Sequence, residues 1–324
     1  MVPDLKSKIR VAFVVESFPR VPETFIINQV ADLLDRGVDV EIFAFHRGDD
    51  ESISSRFYNY GMSNFTHYLC PASCKFGRVL GAVPLLMWLL RRDPRLLLRT
   101  LNVFKYGRFA LSFKLPYWVT PFLGKRFDLV HCHFATVANV FLIIKDILRL
   151  ELPLVTSCYG YDVSATLRHC SNDFYARLKR EADLFFVMSN NMKERVVAFG
   201  FPEAKVRVLP VSIDVNAYPF SDRILPVAKS VQLVSVGRFV QKKGFDDLLR
   251  ALAIVKRKTS KPFYCSIVGG GPLDAELRQL ADSLGLSDVI NFDGYMKIDD
   301  IIRLLGEKHI MVQPSKTADD GDME

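Results

Sequence analysis

The chain has 324 residues, 49% of them apolar and 24% charged, with a net charge of +7. This balance is typical of a folded globular protein and excludes a largely disordered or collagenous chain, and the length favours two domains over one. The six cysteines are scattered without a CxxC pair, which excludes a disulfide scaffold and disfavours a zinc site.

Short apolar segments alternate with helical patterns through the first two thirds of the chain. Strands are predicted at 9–15, 38–45, 128–134, 152–159, 183–189 and 205–210, and helices at 22–36, 135–149, 172–181 and 190–199. Nearly continuous apolar strands separated by helices indicate a parallel sheet covered on both faces, so residues 1–211 are interpreted as one doubly wound domain. The apolar run near the amino terminus is too short for a secretory signal, so a cytoplasmic location is expected.

Residues 78–126 interrupt this alternation and carry all of the basic excess. They contain ten Lys or Arg and one acid, Asp93, whereas the rest of the chain has a net charge of −2. Apolar stretches lie between the cations, and the longest uncharged one, 79–90, is shorter than the roughly 20 residues that span a bilayer. We expect this segment to lie on an anionic membrane surface, with a helix starting at Asp93 and Pro94; the alternative is that its leucines pack on the first domain.

A second α/β pattern follows a proline-containing linker at 212–230. Strands are predicted at 231–237, 263–269, 289–294 and 309–315, with helices at 244–258, 273–284 and 298–306. The second domain therefore covers 231–324, and we expect it to be incomplete because no helix follows its last strand.

Two groups of residues follow predicted strands of the second domain, where open α/β sheets bind ligands. Arg238 and Lys243 share one loop, and a guanidinium with an ammonium suits a diphosphate, although a solvated loop carries the same cations. The glycines at 269–271 permit either close approach of a ligand or a tight turn.

No metal site is predicted. His131 and His133 are interpreted as lying on opposite faces of a strand, packed or hydrogen-bonded rather than bound to a metal. The acidic residues Asp319, Asp320 and Asp322 lack the spacing of a calcium loop.

Several motifs occur in a fixed order: FPRVPETFI, YGYDVS, DLFFVMSNNMKERV, VRVLPVSID, VGRFVQKKGFDDLLRA, IVGGGPL, VINFDGY and IMVQPSKTADDGDME. Together they resemble the retaining glycosyltransferases of family 4, in particular the branch that builds bacterial exopolysaccharides such as colanic acid. The resemblance runs from about residue 10 to residue 324. It implies a GT-B fold of two Rossmann-like doubly wound domains, the second incomplete, with the acceptor on the first domain and the donor on the second.

The resemblance implies roles for individual residues. Arg238 and Lys243 match the basic pair that stabilises the leaving diphosphate, and Glu324 matches the first Glu of an E-x7-E motif that contacts the donor sugar. The other matched positions are Gly237, Gly294, Tyr295, Tyr159, Gly160 and Asp162 for the donor, and Phe18, Pro19, Glu23 and Thr24 on the loop facing the acceptor. Tyr159 stands where most members of the family have His.

The resemblance implies transfer of a sugar from a nucleotide-sugar to a lipid-linked or polysaccharide acceptor, with retention and without a metal cofactor. No nucleic acid partner is expected, and the protein is expected at the inner face of the cytoplasmic membrane. Because the second Glu of the motif is not in the sequence, we expect the chain as given to be inactive as a transferase. The alternative is a non-catalytic relic or binding module that cannot hold a donor.

Overall fold

The computed structural model describes residues 8–20, 23–48, 53–71, 74–171, 173–211, 213, 215, 218, 220, 222 and 230–322. The chain groups into two compact units, the first comprising Met1–Val163 and His169–Ser212 and the second Ser164–Arg168 and Ile213–Glu324. The sequence division did not predict that Ser164–Arg168 groups with the second unit. Most of the predicted linker at 212–230 lies outside the described residues.

The first unit contains a seven-stranded parallel sheet. Its strands are β1 (Arg10–Phe18), β2 (Asp39–Arg47), β3 (Thr66–Tyr68), β4 (Leu129–His133), β5 (Leu154–Cys158), β6 (Leu184–Val187) and β7 (Val206–Val208). Their order is β3-β2-β1-β4-β5-β6-β7, and all neighbours are parallel. The order reverses direction between β1 and β4, the position at which doubly wound sheets bind ligands.

Eleven α-helices precede residue 212 in the described part of the chain. They are α1 (Thr24–Asp35), α2 (Ser55–Asn59), α3 (Lys75–Arg92), α4 (Pro94–Thr100), α5 (Val103–Tyr106), α6 (Arg108–Leu111), α7 (Leu115–Val119), α8 (Ala135–Leu148), α9 (Ala165–His169), α10 (Ala176–Glu181) and α11 (Asn190–Ala198). Helix α1 buries Ile26, Ile27 and Val30 at helical spacing, and these side chains pack in the core beside β1 and β2.

The second unit contains a four-stranded parallel sheet in the order β10-β9-β8-β11. The strands are β8 (Val231–Val236), β9 (Phe263–Val268), β10 (Ile290–Gly294) and β11 (Ile310–Met311), and the helices are α12 (Phe245–Lys258), α13 (Asp274–Ser283) and α14 (Ile298–Glu307). The strand predicted at 309–315 is shorter than expected. Ile310 and Met311 are exposed at the edge of this sheet.

The predicted α/β class, with parallel sheets in both parts of the chain, is confirmed. The helix predicted to begin at Asp93 and Pro94 is also confirmed: the Asp93 carboxylate accepts hydrogen bonds from Arg95 N (2.9 Å) and Leu96 N (3.1 Å). The short strand β3 and the other helices between 55 and 119 were not predicted. Their apolar and charged residues follow no single period that spans the segment.

Candidate functional site

The carboxyl ends of β8, β9 and β10 meet at one edge of the second sheet. Gly237 N, just after β8, donates a hydrogen bond to Val268 O (3.0 Å) at the end of β9. Gly269 N, just after β9, donates to Gly294 O (2.8 Å) at the end of β10. These bonds join three strand exits into one continuous surface.

The tandem glycines after β9 are required by close packing. A Cβ atom added to Gly269, whose φ is +136°, would lie 1.9 Å from Gly237 O, and one added to Gly270 would lie 2.6 Å from the ring of Tyr295. Any side chain would therefore push the strand exits apart. The structure shows the close packing of this turn, and the close approach of a ligand stays a prediction.

The two predicted cations both lie at this edge. Arg238 is exposed directly after β8, and Lys243 is half-buried at the end of a 3-10 turn, Gln241–Lys243. The Lys243 side chain lies against the strand exit, since its Cδ would be 3.6 Å from a Cβ added to Gly237. If the pair binds a diphosphate, we expect the two charged groups to converge within about 8 Å, the span of a diphosphate with its hydrogen bonds.

An exposed aromatic ring completes the edge. Gly294 has φ +74° and turns the chain at the end of β10, so that Tyr295 follows with 69% of its surface exposed. A ring in this position has a free face on which a planar ligand can stack.

The acidic loop near the end of the chain supports the 3-10 turn. Lys316 N donates to Lys242 O (2.8 Å), and Lys242 Nζ forms an ion pair with Asp322 (3.1 Å). Asp319 hydrogen-bonds to Gln241 through its backbone N–H (3.0 Å). Within the described residues no group of three or more His, Cys, Asp or Glu is arranged to hold a metal ion. Glu324 lies outside the described residues.

In the first unit, the loop after β1 is packed tightly. Phe18 and Pro19 are buried, and the peptide bond between them is cis. A Cβ added to Gly48, just after β2, would lie 1.7 Å from Pro19 O, so only glycine fits there. Thr24 is the first residue of α1, which fixes the predicted acceptor loop between β1 and that helix.

Glu23 is a buried carboxylate with one oxygen unused. Arg20 Nη1 donates to Glu23 Oε1 (3.0 Å), whereas Oε2 is buried without a hydrogen-bond partner. Burial raises the pKa of Glu23, and the Arg20 guanidinium acts against that shift. The free oxygen can accept a hydrogen bond from a hydroxyl group.

The expectation that His131 and His133 lie on opposite faces of the strand is wrong. Residues two apart in a strand share a face, and the two rings stack with their centroids 4.5 Å apart. His131 Nε2 lies 2.8 Å from Ser157 Oγ, and His133 Nδ1 lies 2.7 Å from Tyr159 Oη. Burial lowers the pKa of His131 to about 4, and burial together with His131 lowers the pKa of His133, so both rings are neutral at pH 7.

Asp162 holds the loop after β5. Its Oδ1 accepts hydrogen bonds from Tyr159 N (3.1 Å) and Gly160 N (3.0 Å), and its Oδ2 accepts one from Ala135 N (2.8 Å) at the start of α8. Burial raises the pKa of Asp162 despite these three bonds. The side chain is fully buried and positions Tyr159 and Gly160, and the predicted contact between Asp162 and the donor stays a prediction.

A cavity of about 320 Å³ adjoins this loop in the first unit. It lies between α1 and the ends of β5, β6 and β7. The lining residues are Phe25, Gln29, Asp32, Leu33, Arg36, Ser157, Tyr159, Met188, Leu209, Pro210 and Val211. The mixture of apolar walls and a few polar groups is typical of a small-ligand site.

The sequence reasoning missed Ser157 and the partnership of His133 with Tyr159. The available signal was the alternation of side chains along β4, which places His131 and His133 on one face. Their partners, 26 residues later, depend on the register of β5 against β4, where His133 pairs with Ser157.

The basic segment folds into the helices α3 to α7. Helices α3 to α6 (residues 75–111) expose both apolar side chains and cations to solvent, and we call these exposed side chains the basic face. Phe76, Leu80, Leu98, Phe104 and Leu111 are exposed, as are Arg91, Arg92, Arg95, Lys105 and Arg108. The described residues contain no helix long and apolar enough to cross a membrane.

Some cations of this segment are held by the first unit. Arg99 Nη1 donates to Ile147 O (2.7 Å), and Lys105 Nζ pairs with Asp146 (2.7 Å), both on α8. Of the two arginines of α4, Arg95 is exposed, whereas Arg99 is held against α8. Leu98 is 72% exposed, whereas Leu96 and Leu89 are buried, so the leucines of this segment divide between solvent and the interior.

Family models match both parts of the chain. One described as Glycosyltransferase Family 4 matches residues 22–217, and one described as Glycosyl transferases group 1 matches residues 220–321. The amylovoran biosynthesis glycosyltransferase AmsK of Erwinia amylovora is 30% identical over 98% of this chain and 78% of its own length. WcaL of Escherichia coli, named for colanic acid biosynthesis, is 28% identical with the same coverage, 98% and 78%.

Solved structures share the fold over almost the whole chain. HepE of Anabaena, in complex with UDP and glucose, superposes with a TM-score of 0.60 at 19% identity, covering 96% of this chain and 75% of HepE. WaaG, a glycosyltransferase involved in lipopolysaccharide biosynthesis, gives a TM-score of 0.55 at 15% identity, covering 95% of this chain and 75% of WaaG. At identities this low, the superpositions establish a common fold alone.

Proposed function

Because the chain belongs to glycosyltransferase family 4, we propose that it transfers a sugar, with retention, from a nucleotide-sugar to a lipid-linked or polysaccharide acceptor. The fold is GT-B, as in HepE and WaaG. The relatives AmsK and WcaL are named for amylovoran and colanic acid biosynthesis, which supports a role in exopolysaccharide or cell-envelope glycan synthesis. Transferase relatives that match nearly the whole chain favour the enzyme over a non-catalytic binding module.

The single observation that carries the donor assignment is the joined edge of β8, β9 and β10. It presents Arg238 and Lys243 beside the backbone of Gly237 and Gly269. In the proposal, the guanidinium chelates the diphosphate while the ammonium supplies a point charge, and together they stabilise the negative charge that develops on the leaving nucleotide. Tyr295 stacks on the base, and Gly294 gives the base access to the backbone.

Two cations perform the charge neutralisation that a divalent metal performs in other transferases, so we propose that no metal cofactor takes part. Glu324 contacts the donor sugar in this proposal, on the strength of its motif. The acceptor is assigned to the connection between β1 and α1, through Phe18 at the end of β1, Pro19, Glu23 and Thr24 at the start of α1. There the unpartnered Oε2 of Glu23 can accept a hydrogen bond from the acceptor hydroxyl.

The basic face is proposed to bind the anionic inner surface of the cytoplasmic membrane. Exposed Phe76, Leu98 and Phe104 can enter the interface while Arg95 and Arg108 contact anionic headgroups. Each cation near such a surface contributes about 1 kcal/mol, and salt weakens that attraction. A lipid-linked acceptor would then be presented where the enzyme is bound.

Flotation with phosphatidylglycerol vesicles tests the membrane proposal. The protein should float with the vesicles at low salt and be released at high salt. The variant Leu98→Asp on the basic face should reduce flotation, whereas Ile254→Asp, at an exposed position of the second unit, should not. Absence of flotation at low salt, or equal flotation of both variants, would contradict the proposal.

A panel of UDP- and GDP-sugars, scored by release of the nucleoside diphosphate, tests the transferase. The full gene product is the protein to assay, with membrane extract as the source of acceptor lipids. Release with one donor that increases when the acceptor is added supports the proposal. If no nucleoside diphosphate is released from any donor, with or without the acceptor, the proposal is overturned.

A further inference from the structure

Tyr159 and His133 form a hydrogen-bonded pair for which the proposed function has no use so far. His133 Nδ1 lies 2.7 Å from Tyr159 Oη, and the two rings are nearly parallel, with 4° between their planes. His133 is fully buried, whereas Tyr159 is half-buried and lines the cavity beside α1. The pair therefore connects the interior of the sheet to a surface that a ligand can reach.

The position of the proton on His133 follows from its surroundings. The ring is neutral and carries one N–H, on Nδ1 or on Nε2. Nε2 is buried and has no hydrogen-bond partner. A proton on Nε2 would leave a buried N–H unsatisfied, a rare condition in proteins, whereas a proton on Nδ1 leaves only a lone pair unused. The favoured tautomer thus has Nδ1–H donating to Tyr159 Oη.

This tautomer determines what Tyr159 can do. Since its oxygen accepts from His133, its own O–H is left to donate. Ser157, which lines the same cavity, lies within hydrogen-bonding reach of the phenol, so a ligand oxygen would compete with Ser157 for this proton. Burial raises the pKa of Tyr159, so the phenol keeps that proton at neutral pH. A sugar offers many oxygens as acceptors for such a donor.

Other contacts fix the direction of the phenol. The rings of Phe25 and Phe134 pack on that of Tyr159 with centroids 4.5 and 4.9 Å away, and Asp162 binds its backbone N–H (3.1 Å). A ring held in this way loses little freedom when a ligand binds, so its hydrogen bond favours one orientation of that ligand.

We propose that His133 is a positioning residue. It does not contact the ligand but orients Tyr159, so that the tyrosine O–H donates a hydrogen bond to an oxygen of the bound sugar. This inference rests on the proposed function. It also offers a reason for Tyr159 at a position where most members of the family have His: the imidazole of His133 lies behind this tyrosine and is hydrogen-bonded to it.

The tautomer is measured directly by NMR of protein labelled with nitrogen-15 histidine. The six histidines give separable long-range nitrogen–proton patterns, and the variant His133→Asn assigns the signal of His133. We expect its Nδ1 to be protonated and its Nε2 to be unprotonated. A proton on Nε2 would overturn the inference whether or not the enzyme is active.

Kinetics of the full gene product test the functional part, with UDP-glucose and GDP-mannose as the donors tried. Tyr159→Phe and His133→Leu should each lower kcat about tenfold with KM changed less than twofold, the pattern of a bond made mainly in the transition state. His133→Asn should retain most of the activity, because its amide places an N–H close to the position of Nδ1.

The double variant Tyr159→Phe/His133→Leu separates positioning from general structure. If His133 acts through Tyr159, the double variant is no slower than Tyr159→Phe alone. Additive losses, or a His133→Asn variant as slow as His133→Leu, would overturn the inference. A wild-type protein that uses no donor would instead contradict the proposed function, and the tautomer measurement would still decide the geometry.

Discussion

Lowering the pH should destabilise the first unit through its buried histidines. Burial lowers the pKa of His131 to about 4 and also lowers the pKa of His133, whereas a histidine in the unfolded chain binds a proton near pH 6.5. The unfolded state therefore takes up more protons than the folded state below pH 6.5. The contribution of these two histidines to the free energy of unfolding is fully present above that pH and is lost as the pH falls towards 4.

For His131 alone, these pKa values correspond to a loss of about 2 kcal/mol in the free energy of unfolding between pH 7.5 and pH 5. The contribution of His133 has the same sign. Burial raises the pKa of Glu23 and of Asp162, so their contributions have the opposite sign and are regained as the pH falls. A comparison between variants separates the histidine contribution from those of Glu23 and Asp162.

The assay is urea unfolding followed by tryptophan fluorescence at the two pH values. The protein has two tryptophans, Trp88 and Trp118, and both belong to the first unit, so the signal reports that unit. His131→Gln keeps a polar group near Ser157 but cannot titrate, and His46→Gln, at an exposed position of β2, is the matched control. Between pH 7.5 and pH 5, the free energy of unfolding should fall by about 2 kcal/mol less in His131→Gln than in wild type or the control. Equal pH dependence in all three proteins would refute the reasoning.

Two further substitutions test the strand exits of the second sheet and the loop after β5. Gly269→Ala should weaken UDP binding at least tenfold in calorimetric titration, since its Cβ would lie 1.9 Å from Gly237 O, whereas Gly306→Ala, which meets nothing within 4 Å, should leave binding unchanged. Asp162→Ala leaves three buried backbone N–H groups without their acceptor and should lower the free energy of unfolding by about 3 kcal/mol. A loss within the error of the urea experiment would contradict the role given to Asp162.

Most of the fold could be predicted because parallel strands are apolar on both faces. In β1, residues 11–15 are all buried, and the segments that became β4, β5, β8 and β9 are similarly apolar. The cap of α4 was also readable, since Asp93 followed by Pro94 is a local signal. By contrast β3 has only three residues, too few to show a period, and β11 pairs over only two residues.

The site was predictable where residues act close to their place in the sequence. Arg238 and Lys243 follow a strand, and all such exits meet at one edge of a parallel sheet. The pair of His133 and Tyr159 depends instead on strand register, and the hydrogen bond from Ala135 N to Asp162 joins residues 27 positions apart. Neither distant contact leaves a pattern in the sequence, so neither could be predicted from a motif.

The central claim is that the β8 exit binds the donor diphosphate. The most direct measurement is calorimetric titration of wild type, Arg238→Ala, Lys243→Ala and Lys261→Ala with UDP and GDP. Lys261 is an exposed cation of the same unit and serves as the control. Loss of Arg238 or Lys243 should weaken binding of the preferred nucleotide at least tenfold, whereas loss of Lys261 should have no effect. Equal affinity in all four proteins would contradict the account.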